Sequence, residues 1–156
     1  MAQLLPGLKE IDKHLSFAQK HTNVNYFETI ENSNPCGEAM LANGSNCTLG
    51  SINLNEMYDK ETNDVDWKKL ASTIRTAIRF LDNVLSVTYY PIPLCKEAAE
   101  RSRRIGLGVT GLHYLLLRMG HVYGDQKCLE FLERLFSTFR NESYMASVEV
   151  AKEKGS

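Results

Sequence analysis

The chain has 156 residues and a mass of 17.7 kDa, a length that suits one ordinary domain. Its formal net charge is −1 and its pI is near 6.4, so it lacks the basic surplus that is typical of nucleic-acid-binding domains. It shows no signal peptide and no apolar run of about 20 residues. We therefore expect a cytoplasmic protein whose partner is neither a nucleic acid nor a membrane.

Apolar periodicity predicts a chain made mainly of helices, with short strands and one long loop. Residues 8–20 are expected to form a short amphipathic helix, and residues 51–54 alternate in the manner of a short strand. Residues 67–85 carry apolar side chains at a 3.6-residue period, which predicts a longer helix capped by Asp64 or Asp66.

Three further helices are predicted after the Tyr-Tyr-Pro run at residues 89–91. This run ends the long helix because the residue before a proline avoids helical geometry. The later helices cover about residues 93–103, residues 112–119, and a last stretch from a cap at Asp125 to a stop at Gly155.

Three glycines, Gly106, Gly108 and Gly111, match the G-x-G-x-x-G pattern of dinucleotide-binding turns. The segment before them, residues 100–104, is charged and cannot form the buried strand that such a turn requires. We therefore interpret the glycines as positions of close backbone packing, in a strand-like segment that leads into the helix at 112–119.

Four cysteines lie at positions 36, 47, 95 and 128, and no two of them form the C-x-x-C pair of a structural zinc site. This usage fits reduced thiols and predicts no metal site. Cys95 and Cys128 fall in helical patterns, and we interpret both as packing residues.

The densest group of reactive side chains lies in residues 34–54, which read NPCGEAMLANGSNCTLGSINL. Asn34, Cys36 and Glu38 alternate, so an extended or gently looped backbone would direct an amide, a thiol and a carboxylate to one side. Cys47 follows on the returning limb of a loop that an Asn-Gly pair turns. The carboxylate could act as a general base toward a hydroxyl, and the amide could both donate and accept hydrogen bonds.

These residues resemble the finger loop of the ribonucleotide reductase catalytic subunit. The run N-P-C-G-E followed by C-x-L-G-S-I-N-L is most similar to the adenosylcobalamin-dependent (class II) branch of that family. Other segments resemble the family in the family's order, so the likeness extends over about residues 28–156. They are D-N-V at 82–84, Y-P at 90–91, RIGLGVTGL at 104–112 and AKEKG at 151–155.

The resemblance implies a role for each of four residues. Cys36 would become a thiyl radical that removes the 3′ hydrogen of the ribose, Glu38 would be the base at the 3′ hydroxyl, and Asn34 would hydrogen-bond the sugar hydroxyls. Cys47 would be one of two thiols that deliver the reducing electrons and become a disulfide. The resemblance also implies a ribonucleoside di- or triphosphate as substrate and adenosylcobalamin as cofactor, with no residue assigned to binding the cofactor.

The resemblance further implies a piece of the ten-stranded α/β barrel that reductases of this family use. Because 156 residues are too few for the whole barrel, we expect a single partial domain over residues 1–156, with the finger loop at about 32–50 and a helical region at about 64–156. Such a central fragment would be active only with the remaining reductase segments. Its exposed apolar helix faces would favour a homo-oligomer.

Three alternatives stay open. The radical could come from an iron-containing subunit rather than from adenosylcobalamin. The chain could be a non-catalytic helical assembly module, or a split-gene piece that docks on a partner chain. It could also be a free-standing thiol–disulfide protein, in which case Cys36 and Cys47 would form a reversible disulfide with each other.

Overall fold

The computed structural model describes residues 5–22, 26, 28–37 and 39–155, the first eight of them by their backbone alone. Within these residues the chain forms mainly α-helix with short strands, which confirms this part of the predicted fold class. The helices are α1 (Leu5–His21), α2 (Trp67–Val87), α3 (Pro93–Ser102), α4 (Leu112–Met119) and α5 (Gln126–Lys154). The strands are β1 (Asn32–Ser33), β2 (Met40–Leu41), β3 (Thr48–Asn53), β4 (Tyr58–Asp59), β5 (Asp64–Val65) and β6 (Ile105–Thr110).

The chain divides into two compact units. The first unit comprises Met1–Asn46 and Tyr89–Arg103, and it contains α1, the antiparallel pair β1–β2, and α3. The second unit comprises Cys47–Thr88 and Arg104–Ser156, and it contains the remaining elements.

The second unit is built on a parallel strand pair. Strands β3 and β6 run side by side, with Thr48 opposite Ile105 and Asn53 opposite Thr110. Parallel neighbours need a long crossover connection, and the connection here includes α2, which packs on both strands. The second unit therefore contains a strand–helix–strand arrangement of the kind that builds α/β folds.

Strand β3 is longer than the strand predicted at 51–54, and it ends one residue earlier. The side chain of Asn53 accepts a hydrogen bond from the backbone N–H of Asn55 at 3.2 Å, which caps a 3₁₀ turn at Leu54–Met57. This side-chain bond ends the strand, because it commits the chain to a turn where alternation alone predicted continued extension.

Helix α2 contributes one continuous apolar face to the core of the second unit. Its N-cap is Asp66, whose Oδ1 accepts a hydrogen bond from the backbone N–H of Lys69 at 2.9 Å. The other predicted cap, Asp64, instead accepts from Nε1 of Trp67 at 3.0 Å. The buried apolar residues of α2 are Leu70, Ile74, Ile78, Leu81 and Leu85.

Helix α5 packs along α2 and begins and ends where the sequence predicts. The Asp125 carboxylate accepts from the backbone N–H of Cys128 at 2.6 Å, and Gly155 follows the last helical residue. Cys128 and Leu135 have no exposed surface, which confirms Cys128 as a packing residue. Cys95 is half-buried in α3.

Ion pairs join the exposed edges of α2 and α5. Arg75 bonds Glu142 at 2.9 Å and Glu149 at 3.0 Å, and Arg79 bonds Glu153 at 2.6 Å. The hydrogen bond from Arg79 holds the pKa of the Glu153 carboxyl below its usual range. Such exposed pairs contribute little to stability, and the buried side chains supply most of it.

The G-x-G-x-x-G pattern does not form a nucleotide-binding turn. Gly106 and Gly108 lie inside β6, whereas a dinucleotide-binding turn places its glycines between the strand and the helix. The predicted close backbone packing is not shown at Gly106, where a Cβ would lie 2.6 Å from Cδ2 of Leu49, the end of a flexible and exposed side chain. It is wrong for Gly108, because the nearest atom to a Cβ at that position would be 3.5 Å away.

Within the part of the chain that the structure describes, no helix combines the length and the apolar character needed to cross a membrane. The same residues contain no group of three or more His, Cys, Asp or Glu side chains suited to holding a metal ion.

Candidate active site

Cys36 lies at the tip of the β1–β2 hairpin. The strands pair with Asn32 opposite Leu41 and Ser33 opposite Met40. The backbone carbonyl of Asn34 accepts a hydrogen bond from the N–H of Gly37 at 3.0 Å, which closes a β-turn over residues 34–37. Cys36 is exposed and is a free thiol.

The composition of this turn explains its shape. Asparagine at the first position, proline at the second and glycine at the fourth are the residues that a type I turn favours. Pro35 fixes its own φ, and Gly37 has a φ of +79°, which glycine adopts without strain. Cys36 keeps a negative φ, so the turn is not of type II. The four residues therefore hold the thiol at a defined turn position.

The backbone expected for the candidate active-site residues is wrong. Asn34, Cys36 and Glu38 were expected on an extended or gently looped chain, whereas residues 34–37 form a tight turn. Alternation therefore does not decide which way these side chains project. Glu38 itself lies outside the described residues, so its predicted role stays a prediction.

The base of the loop is held by the segment that leads into α3. The Asn43-Gly44 pair forms the predicted second turn, which the N–H of Ser45 closes by donating to the carbonyl of Ala42 at 3.1 Å. A Cβ on Gly44 would lie 2.9 Å from Cγ of Leu94, so only glycine fits against that side chain. These contacts attach residues 42–45 to the start of α3.

A second contact to the same segment involves a tyrosine. Nδ2 of Asn46 donates a hydrogen bond to the hydroxyl of Tyr90 at 3.3 Å, across 44 residues of sequence. Local patterns could not predict this bond. The only sequence signal was the Tyr-Pro pair at 90–91, which belongs to the segments that resemble the reductase family.

Cys47 begins the second unit, directly before β3. It is half-buried and is in no disulfide. Its Sγ would lie 3.5 Å from a Cβ placed on Gly106, and the next residue, Thr48, donates its N–H to the carbonyl of Arg104 at 3.3 Å. Cys47 is thus held beside the start of the parallel strand pair.

A cleft of about 430 Å³ lies elsewhere in the first unit. Its lining includes Glu28, Glu31 and Arg101, but neither Asn34 nor Cys36. The cleft is therefore separate from the candidate active site at the hairpin tip.

Comparison with known proteins identifies the family. Residues 15–156 match the family model described as the ribonucleotide reductase barrel domain. The chain belongs to this family.

The names of similar proteins support this family assignment. A vitamin B12-dependent ribonucleoside-diphosphate reductase of Mycobacterium tuberculosis H37Rv is 41% identical over 126 residues, which cover 81% of this chain and 18% of the relative. A protein of the same name from Thermoplasma acidophilum is 35% identical over 150 residues, covering 96% of this chain and 19% of the relative. The ribonucleoside-diphosphate reductase subunit alpha of Chlamydia pneumoniae is 35% identical over 138 residues, which cover 86% of this chain and 13% of the relative.

This reductase-family chain therefore spans about a fifth of the length of the vitamin B12-dependent relatives it matches. Two features of its candidate site were missed by sequence reasoning: the support from Tyr90 and Leu94, and a hydrogen bond from the backbone N–H of Ala39 to Oδ1 of Asn34 at 2.9 Å. The first depends on residues distant in sequence. The second is a local side-chain-to-backbone bond of the kind that asparagine makes at turns.

Proposed function

We propose that this chain is the part of an adenosylcobalamin-dependent ribonucleoside-diphosphate reductase that carries the radical-forming thiol. The observation that carries the proposal is the tight hairpin tip at residues 34–37, which holds Cys36 exposed in a chain whose relatives are named vitamin B12-dependent reductases. The diphosphate in the same names favours ribonucleoside diphosphates over triphosphates as substrates.

Three side chains act on the ribose in this proposal. The Cys36 thiol loses a hydrogen atom, and the resulting thiyl radical takes the 3′ hydrogen from the substrate and returns it at the end of the reaction. Glu38 accepts the proton of the 3′ hydroxyl, and Asn34 hydrogen-bonds the sugar. An exposed thiol at a rigid turn suits this exchange, because the sulfur must approach one carbon atom closely.

The reducing electrons come from two thiols. Cys47 and a second cysteine outside this chain are oxidised to a disulfide, the 2′ hydroxyl leaves as water, and the 2′ carbon is reduced by two electrons. Cys47 lies half-buried at the start of β3 and is in no disulfide, which supports this role.

The residues present fit the cofactor in one respect. Adenosylcobalamin, when bound, supplies the one-electron oxidising equivalent that converts a thiol into a thiyl radical. The exposed free thiol of Cys36 is a group on which that equivalent can act. Within the described residues we assign no side chain to holding the cobalamin.

The fold supports a place in the family's ten-stranded barrel. The parallel pair β3–β6, with α2 in the crossover, is the repeating arrangement from which α/β barrels are built. We propose that these are two of the ten strands and that the remaining segments come from the rest of the reductase polypeptide. A cytoplasmic location and a homo-oligomer stay predictions.

The test is formation of deoxyribonucleotide from a ribonucleoside diphosphate, with adenosylcobalamin and a polypeptide that supplies the remaining reductase segments. The native chain should be active and Cys36→Ser should be inactive, because an alcohol O–H bond is too strong to replace the thiol. Cys95→Ser is the matched control, since Cys95 lies half-buried in α3 of the same unit, and it should retain activity.

Each contrary result points to an alternative. Activity in Cys36→Ser would exclude the proposed radical site. Activity that requires an iron-containing subunit and not adenosylcobalamin would favour the iron-dependent class, to which the similarity to subunit alpha proteins gives some weight. A stable complex without activity in any variant would favour the helical assembly module.

A further inference from the structure

Asn34 organises the hairpin tip through both its backbone and its side chain. Its backbone N–H donates to the carbonyl of Ala39 at 3.1 Å, and its backbone carbonyl accepts from Gly37. Its side-chain Oδ1 accepts from the N–H of Ala39 at 2.9 Å. Because a backbone N–H can only donate, the atom that faces it must be the amide oxygen, which fixes the orientation of the Asn34 side chain.

The side-chain oxygen replaces a backbone partner. After the pairs Asn32–Leu41 and Ser33–Met40, the next pair of the ladder is Asn34 and Ala39. In a regular hydrogen-bonded pair the two backbones would exchange both N–H···O bonds. Here Oδ1 takes the N–H of Ala39, so the backbone carbonyl of Asn34 can bond Gly37 and close the turn.

We propose that Asn34 is a positioning residue for Cys36, since its side-chain carbonyl holds closed the turn that carries the thiol. With Oδ1 occupied, Asn34 offers a ligand the two N–H donors of Nδ2, which makes no hydrogen bond with the described residues. A ribose bound at this tip, as the proposed function requires, therefore accepts a hydrogen bond from Nδ2 of Asn34. The acceptor is an oxygen atom of the ribose.

The positioning role can be tested on this chain without any enzymatic activity. Asn34→Ala removes the acceptor, whereas Asn34→Asp keeps an oxygen at the same place. Amide hydrogen exchange at Ala39 should become about fivefold faster in Asn34→Ala, because one neutral hydrogen bond contributes roughly 1 kcal/mol. It should stay near the native rate in Asn34→Asp and in the control Asn43→Ala, an exposed asparagine in the following turn.

Unchanged exchange at Ala39 in Asn34→Ala would overturn the positioning role. Equally fast exchange in Asn34→Asp and Asn34→Ala would also overturn it, because a side-chain oxygen at residue 34 would then not protect the N–H of Ala39.

The donor-only contact is tested by kcat and KM in the whole reductase. Asn34→Ala should lower kcat by about 10²-fold, because a thiol displaced by about 1 Å loses alignment with its target carbon. Asn34→Asp, with the turn intact but without the donor, should raise KM more than it lowers kcat. Native kcat and KM in Asn34→Asp would refute the donor contact. An inactive native reductase would refute the proposed function, while the exchange result would still decide the positioning role.

Discussion

Replacing Gly111 with alanine should destabilise the second unit more than replacing Gly120, although the two glycines share one backbone conformation. Gly111 is the N-cap of α4, with a φ of +70°, and Gly120 is its C-cap, with a φ of +75°. The difference between them is the space around each Cα, so the pair separates steric exclusion from backbone strain.

The magnitudes follow from the neighbours of each site. An alanine in the left-handed region costs about 1–2 kcal/mol, and this is the whole cost at Gly120, where a Cβ would have no neighbour within 4 Å. At Gly111 a Cβ would lie 2.2 Å from Oδ1 of Asn53. The Asn53 side chain would have to leave, with loss of its capping bond to Asn55, which is worth about 1 kcal/mol. We therefore expect a loss of about 2–3 kcal/mol for Gly111→Ala.

The assay is urea unfolding of the 156-residue chain, followed by tryptophan fluorescence. Trp67 is the single tryptophan and lies in the second unit, where its ring is 4.1 Å from the guanidinium carbon of Arg134. Its emission therefore reports unfolding of the unit that contains both glycines. The midpoint of the transition should fall further for Gly111→Ala, with an unchanged slope if unfolding stays two-state.

A double-mutant cycle checks the proposed cause. Asn53→Ala removes both the capping bond and the atom nearest to a Cβ at Gly111, so in that background Gly111→Ala should cost less than in the native chain. The backbone N of Asn55 would still lie 3.2 Å from the new Cβ. The coupling energy should be about 1 kcal/mol. Equal losses for the two single glycine variants, or a coupling near zero, would show that the steric reasoning is wrong.

Two further predictions concern the core and the pH dependence of the second unit. Leu135→Ala should lower the free energy of unfolding by about 2–5 kcal/mol in the same assay, because Leu135 is fully buried. The exposed Leu117→Ala should change it by less than about 0.5 kcal/mol, and a large effect there would contradict the burial argument. The pKa of Glu153 is lowered by its hydrogen bond from Arg79. Its contribution to stability is therefore present at neutral pH and is lost in acid, as the pH falls through the lowered folded-state pKa. Glu153→Gln should therefore make the loss of stability between about pH 5 and pH 3 shallower, as measured by thermal melting at several pH values. The same pH dependence in the variant and in the native chain would show that the ion pair does not form.

The helices of the second unit could be predicted because their causes are local. The 3.6-residue stripe of α2, the Asp125 cap and the Gly155 stop each act within a few residues, and each lies where the sequence places it. The parallel strand pair could be predicted only in part. Residues 51–54 showed alternation, but pairing with β6 is a contact between distant residues that no local pattern encodes.

The candidate site, too, could be predicted only in part from the sequence. Resemblance of the N-P-C-G-E run to a known family found the residues, whereas reasoning from alternation gave the wrong backbone for them. Alternation describes a chain that is already extended, and the proline and glycine on either side of Cys36 favour a turn instead. The turn signal is present in the sequence and outweighs the period of two in determining the backbone.

The hydrogen bonds of the loop indicate that its tip and its base are fixed by different means. Among the described residues, the tip is closed by hydrogen bonds between residues close in sequence, namely Ser33, Asn34, Gly37 and Ala39. The base depends on Tyr90 and Leu94, which are distant in sequence. The turn around Cys36 is therefore held by bonds local in sequence, whereas the placement of the loop base depends on residues 90–94. A substitution such as Tyr90→Phe should therefore alter the loop base and leave the hydrogen exchange of Ala39 at the tip unchanged.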